Sequence, residues 1–103
     1  MPSSIKVGPH IFLIARKKSA QMPKQDGYEL NGQTDKDGLR INIRDRLRKS
    51  KSQEVLLHET LHTAVNSFFE GKTLDEEEWV SHLSPILLQI IKDNPDLISY
   101  LQS

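Results

Sequence analysis

The 103-residue chain contains no cysteine. That excludes disulfides, thiolate zinc fingers, a thiol nucleophile and thiol redox chemistry, and it agrees with a reducing, cytoplasmic setting. Long apolar runs are missing too. The stretch Ile11–Ala15 is far too short for a membrane helix and follows Gly8 and Pro9 rather than a basic leader, so no targeting or membrane-spanning segment is expected. Nor does one sign of charge dominate: 14 Lys and Arg balance 14 Asp and Glu, so the chain as a whole points neither to nucleic acid nor to a membrane surface. The length leaves room for one domain (1–103) with a modest core, to which a bound metal would add useful stability.

What the chain does have is segregated charge. Residues 1–53 hold 12 Lys/Arg against 5 Asp/Glu, whereas residues 54–103 hold 2 against 9. The basic part peaks at Arg44-Asp45-Arg46-Leu47-Arg48-Lys49-Ser50-Lys51. Such a run is either a solvated linker or a patch for an acidic partner or a nucleic-acid backbone; it lacks the interleaved aromatics of a base-stacking surface.

Periodicity divides the chain in the same place. Residues 1–48 read as mainly β: Ile5-Lys6-Val7 and His10–Ala15 flank the turn signal Gly8-Pro9, residues 17–27 read as a loop, and Tyr28–Thr34 and Leu39–Arg44 bracket Asp35–Gly38. Leu39, Ile41 and Ile43 alternate with Arg40, Asn42 and Arg44, the period of a strand with one buried face, and Asp37-Gly38 is a hairpin signal. Residues 50–103 read as mainly α. Ser50 or Ser52 can cap a helix reaching about Phe69 and ended by Gly71, with Leu57, Leu61, Ala64 and Phe68 as its apolar stripe. Thr73 and Glu76 form a capping box for a second helix with core positions Trp79, Leu83, Ile86, Leu87 and Ile90, which Pro85 should kink. Asn94-Pro95 opens a short third helix. The expected fold class is α+β, a small antiparallel sheet with helices packed on one face.

The residues that carry chemistry are His58-Glu59-Thr60-Leu61-His62. On a helix, positions i and i+4 lie one turn apart on one face, so both imidazoles can reach a single Zn²⁺, while the glutamate at i+1 is placed to act as base toward water at the metal. A catalytic zinc takes a third protein ligand. The next helix offers Glu76, Glu77, Glu78 and His82; Glu78 is preferred, with Glu77 and His82 as alternatives, although acidic residues in a first helical turn are also explained by the helix dipole. His82 has a second possible role, donating to the oxyanion; Tyr28 and Tyr100 are weaker candidates for it. His10, at a strand start, reads as an exposed or packing residue.

Leu57-His58-Glu59-Thr60-Leu61-His62-Thr63-Ala64 resembles the active-site helix of minimal zincin metallopeptidases, and the chain is similar to the ImmA/IrrE-type and SprT-like families and to small phage-encoded relatives. The resemblance spans about residues 30–103. In the ImmA/IrrE pattern the third ligand is the glutamate of an ExxA-type motif on the following helix; Glu78-Trp79-Val80-Ser81 fits, with Ser81 in place of the alanine and His82 where Asp or Asn is common. Gly32-Gln33-Thr34 and Leu39–Ile43 are similar to the family hairpin, and Gln89–Leu97 to the end of the phage proteins. The resemblance implies a zincin-like fold and a zinc-dependent peptidase with His58, His62 and Glu78 as ligands, Glu59 as base and His82 near the oxyanion. Its peptide or protein substrate would lie along the Leu39–Arg44 strand or its neighbour, in the host cytoplasm if the chain is phage-encoded. The competing expectation is a non-catalytic zinc-stabilised module that binds protein or nucleic acid through residues 44–51.

Overall fold

The most regular apolar alternation in the chain, at residues 39–44, becomes the interior of the sheet. The computed structural model describes residues 1–67 and 73–103. It has β1 (Ser4–Val7), β2 (His10–Lys17), a 3-10 turn (Ser19–Gln21), a ribbon of β3 (Lys24–Gln25) and β4 (Tyr28–Glu29), then β5 (Gly32–Asp35), β6 (Arg40–Arg44), α1 (Lys49–Asn66), α2 (Glu76–Asp93) and α3 (Pro95–Gln102). The main sheet runs β1-β2-β6-β5. Ile41 and Ile43 of β6 are fully buried, with Ile5 and Val7 of β1 and Phe12 of β2 beside them under the helices.

The sheet is mixed, which corrects the antiparallel expectation. β1–β2 and β5–β6 are antiparallel hairpins, but β2 and β6 pair in parallel, Ile14 opposite Ile41 and Lys17 opposite Arg44. The reason lies in composition. β5 is Gly-Gln-Thr-Asp with no large apolar side chain, so the second hairpin docks through its apolar strand β6 and leaves β5 at the edge. Residues 17–27, expected as a loop, contain the 3-10 turn and β3, and Tyr28–Thr34 divides between β4 and β5. Asp26 and Gly27 both have positive φ, the requirement of a two-residue hairpin turn.

Helix α1 buries a different face from the one its leucines suggest. Ser52, Val55, Leu56, Glu59, Thr60, Thr63 and Ala64 are buried, whereas Leu57 and Leu61 remain 44% and 40% exposed. Threonine is tolerated inside because its hydroxyl bonds back to the helix: Thr60 Oγ1 donates to Leu56 O (2.8 Å) and Thr63 Oγ1 to Thr60 O (2.6 Å). The helix begins earlier than expected, with Arg48 at the cap position and both Ser50 and Ser52 within the helix. Phe68 and the expected stop at Gly71 lie outside the described residues. In α2 the cap is Asp75, whose carboxylate accepts from the Glu78 N–H at 2.9 Å, rather than Thr73. Its side chain sits three residues before that orphan N–H, the reach a capping oxygen needs. Of the expected stripe, Leu83, Ile86, Leu87 and Ile90 pack on the core, while Trp79 is half-buried outside that cluster. No helix among the described residues is long and apolar enough to cross a membrane.

Asn94, at the α2–α3 junction, does more than start a helix. Its Oδ1 accepts the Lys6 N–H (2.7 Å) and its Nδ2 donates to Lys6 O and to Ile90 O (both 2.8 Å). Gln89 accepts the Gly8 N–H (2.7 Å) and donates to Lys6 O (3.0 Å). These two carboxamides stand in for a neighbouring strand along the outer edge of β1. Asn94→Ala strips this partner from the Lys6 N–H and the Ile90 carbonyl, while Lys6 O keeps its bond from Gln89; a buried group matters more when orphaned than when bonded. The substitution is expected to lower unfolding free energy by about 2–4 kcal/mol in urea denaturation; a loss below 1 kcal/mol would show that the edge does not need the carboxamide.

Candidate metal centre

His58 and His62 sit one turn apart on the outer side of α1, and their neighbour Glu59 points into the protein. The Nε2 atoms of the two imidazoles approach to 3.1 Å, with ring centroids 4.7 Å apart and planes at 74°. Donor atoms of His58, Glu59 and His62 all lie within 4.8 Å of one another. Two nitrogens held by one tetrahedral zinc at about 2.0–2.1 Å each are about 3.3 Å apart, so the observed 3.1 Å spacing fits a shared ion.

Glu59 is only 5% exposed. Burial raises its carboxyl pKa above the ordinary value, opposed in part by the nearby charges of His62 and then His58. Its position depends on a close approach of the edge strand. A Cβ at Gly32 would fall 2.6 Å from Val55 Cγ1 and 3.0 Å from Glu59 Cγ, so only glycine lets β5 lie this near α1. Thr34 Oγ1, two residues on along the same face, donates to the Glu59 backbone carbonyl at 3.3 Å. Strand and helix are thereby joined directly beneath the histidines.

The group opens into a cleft of about 550 Å³ between α1 and the β5 edge. Residues 30–34 form one wall and Lys51, Glu54, Val55, His58, Glu59, His62 and Asn66 the other, with Gln25 of the ribbon at the rim. The edge strand beside the cleft is thus β5, the neighbour of the Leu39–Arg44 strand. Glu54, one turn before His58, is held by Lys51 at 3.4 Å.

The remaining candidates lie elsewhere. Glu76, Glu77 and Glu78 are exposed in the first turn of α2, and neither they nor His82, exposed one turn further on, line the cleft or join the His58–Glu59–His62 group. Tyr28 is exposed on β4, and Tyr100 of α3 packs against the core with its carbonyl accepting from Gln53 at 2.8 Å. His10 is exposed at the start of β2 and lines a separate cleft with Thr63 and Asn66. Asn31 and Glu54 were not singled out from the sequence; Lys51 entered only with the basic run 44–51, and Gly32 and Gln33 only through the hairpin resemblance. Gly32 is a glycine opening a strand, which often marks close backbone approach. Comparison of the chain with protein-family models, with curated proteins and with solved structures finds no match.

Proposed function

We propose that the chain is a zinc-dependent peptidase with a zincin-like fold. The observation that carries this reading is the convergence of the His58 and His62 Nε2 atoms at 3.1 Å beside a buried carboxylate, in the wall of an open cleft. A metal alone would be served by exposed donors; a carboxylate 5% exposed next to two imidazoles has the environment of a proton carrier.

In this reading His58 and His62 would hold zinc; Glu78, with Glu77 and His82 as the alternatives, is the third ligand that the sequence suggests, and on α2 as it stands it lies outside the cleft. Zinc in such a site supplies Lewis acidity, polarising a carbonyl and making nearby water more acidic. Glu59 takes a proton from the water that attacks the peptide carbonyl and returns it to the amine nitrogen as the C–N bond breaks. Burial raises its carboxyl pKa, which favours its taking up a proton and passing it on. The substrate is a peptide or protein segment lying extended between β5 and α1. A metal-stabilised module without catalysis is the competing reading, favoured by the basic residues at the cleft rim.

The direct test is metal content by plasma mass spectrometry, on the untagged chain and on His62→Ala prepared identically. About one zinc per chain in the parent and a large loss in the variant are expected; no zinc in the parent even after addition of the ion would end the proposal.

A further inference from the structure

The parallel pairing of β2 with β6 has an electrostatic result that the sequence order hides. Parallel strands end at the same side of a sheet, so Arg16, Lys17 and Lys18 finish beside Arg44 and Arg46, with Lys17 opposite Arg44 in register. The chain then turns directly into α1, adding Arg48, Lys49 and Lys51. Asp45 N–H bonds to Lys17 O at 2.8 Å, which ties the two runs together. All eight cations are exposed or half-exposed, and among the described residues only Lys51 has a carboxylate within ion-pair distance, Glu54. The first turn of α1 contains no acidic residue to offset them.

This cationic end is continuous with the cleft. Lys51 is part of the cleft wall, and Arg44 Nε donates to Oδ1 of Asn31, another cleft residue, at 3.1 Å. We propose that it is a selectivity surface for an acidic polypeptide segment, whose neighbouring residues occupy the cleft. The cleft itself offers Gln25, Asn31, Gln33 and Thr34, side chains suited to hydrogen-bonding an extended peptide backbone. A polypeptide fits better than a nucleic acid. Residues 16–18 and 44–51 contain no aromatic side chain for base stacking. The C-terminal half of the chain is acidic, 2 Lys/Arg against 9 Asp/Glu in residues 54–103, and would repel a long polyanion more than a short acidic segment.

The inference rests on the peptidase reading for the fate of the bound segment, but binding can be measured separately from hydrolysis. The probe is a fluorescein-labelled decapeptide rich in Asp and Glu, monitored by anisotropy with the zinc-loaded chain carrying Glu59→Gln so that it is not consumed. The triple variant Lys18→Glu, Arg48→Glu, Lys49→Glu in that background is the comparison. Glutamate near the start of α1 complements the helix dipole, so the fold is expected to survive, as a thermal melt will verify. Affinity should fall at least about tenfold at low salt, the summed effect of several exposed charges, and the difference should shrink in 0.5 M salt as these charges are screened. Equal affinity of the two proteins overturns the proposal, as does tighter binding of a 20-base-pair DNA duplex that displaces the peptide. Peptide binding that persists while the parent shows no hydrolysis leaves the surface in place and removes the peptidase reading alone.

Discussion

Replacing Glu59 by glutamine is expected to leave zinc content unchanged and to lower peptide hydrolysis by about a hundred- to ten-thousandfold, the range of a lost general base. The two side chains are nearly the same size, so the contact with Gly32 and the hold of Thr34 on the backbone carbonyl persist. An amide also avoids the desolvation that raises the carboxyl pKa, so the variant should unfold no more easily than the parent. The comparison therefore isolates the proton-transfer capacity of one buried group. Hydrolysis retained within about threefold by a zinc-loaded Glu59→Gln would sink the catalytic role and favour the binding-module reading.

Zinc should also change stability by a large amount. A ligand that binds only the folded state at a free concentration a thousand times its dissociation constant stabilises by about 4 kcal/mol. For a domain of this size, each kcal/mol moves the melting midpoint by about 4–8 °C, so chelation should lower it by roughly 15–30 °C. His62→Ala should melt close to the chelated parent and respond little to added zinc. Its imidazole is exposed on α1, so removal should cost the metal-free fold little. A parent whose melting midpoint is the same with zinc and with chelator contradicts a metal centre of this strength.

The sequence disclosed the parts of the protein whose patterns are local. The alternation of Leu39–Arg44 marked β6, and His58 and His62 at i and i+4 on a helix placed both imidazoles together. The stripe of α2 was legible for the same reason, since its burial follows hydrophobicity at helical spacing. In α1 that rule failed: Thr60 and Thr63 satisfy their hydroxyls on their own helix and go inside while Leu57 and Leu61 stay partly out. The parallel β2–β6 pairing was not legible, because it depends on which edge of a hairpin docks, a choice between distant segments. Asp26-Gly27 carried a hairpin signal inside what read as a loop, and was outweighed by the polar residues around it. The cleft wall came from β5 through Gly32, whose meaning appears only once α1 lies across it.

The carboxamides of Asn94 and Gln89 leave the two margins of the sheet unequal. At β1, backbone groups that would recruit another strand are already engaged by side chains from the helical layer. At β5 no further strand follows in the sheet. Unprotected margins attract extended chains indiscriminately, whether guest peptides or copies of the same protein. Of the two margins of this sheet, the one at β5 is the berth left open among the described residues, and Gly32 and Thr34 on it lie against α1 at Glu59. Removing the carboxamides would therefore be felt beyond stability, as a second, unproductive berth on the far side of the sheet and a tendency of the molecules to stack through it.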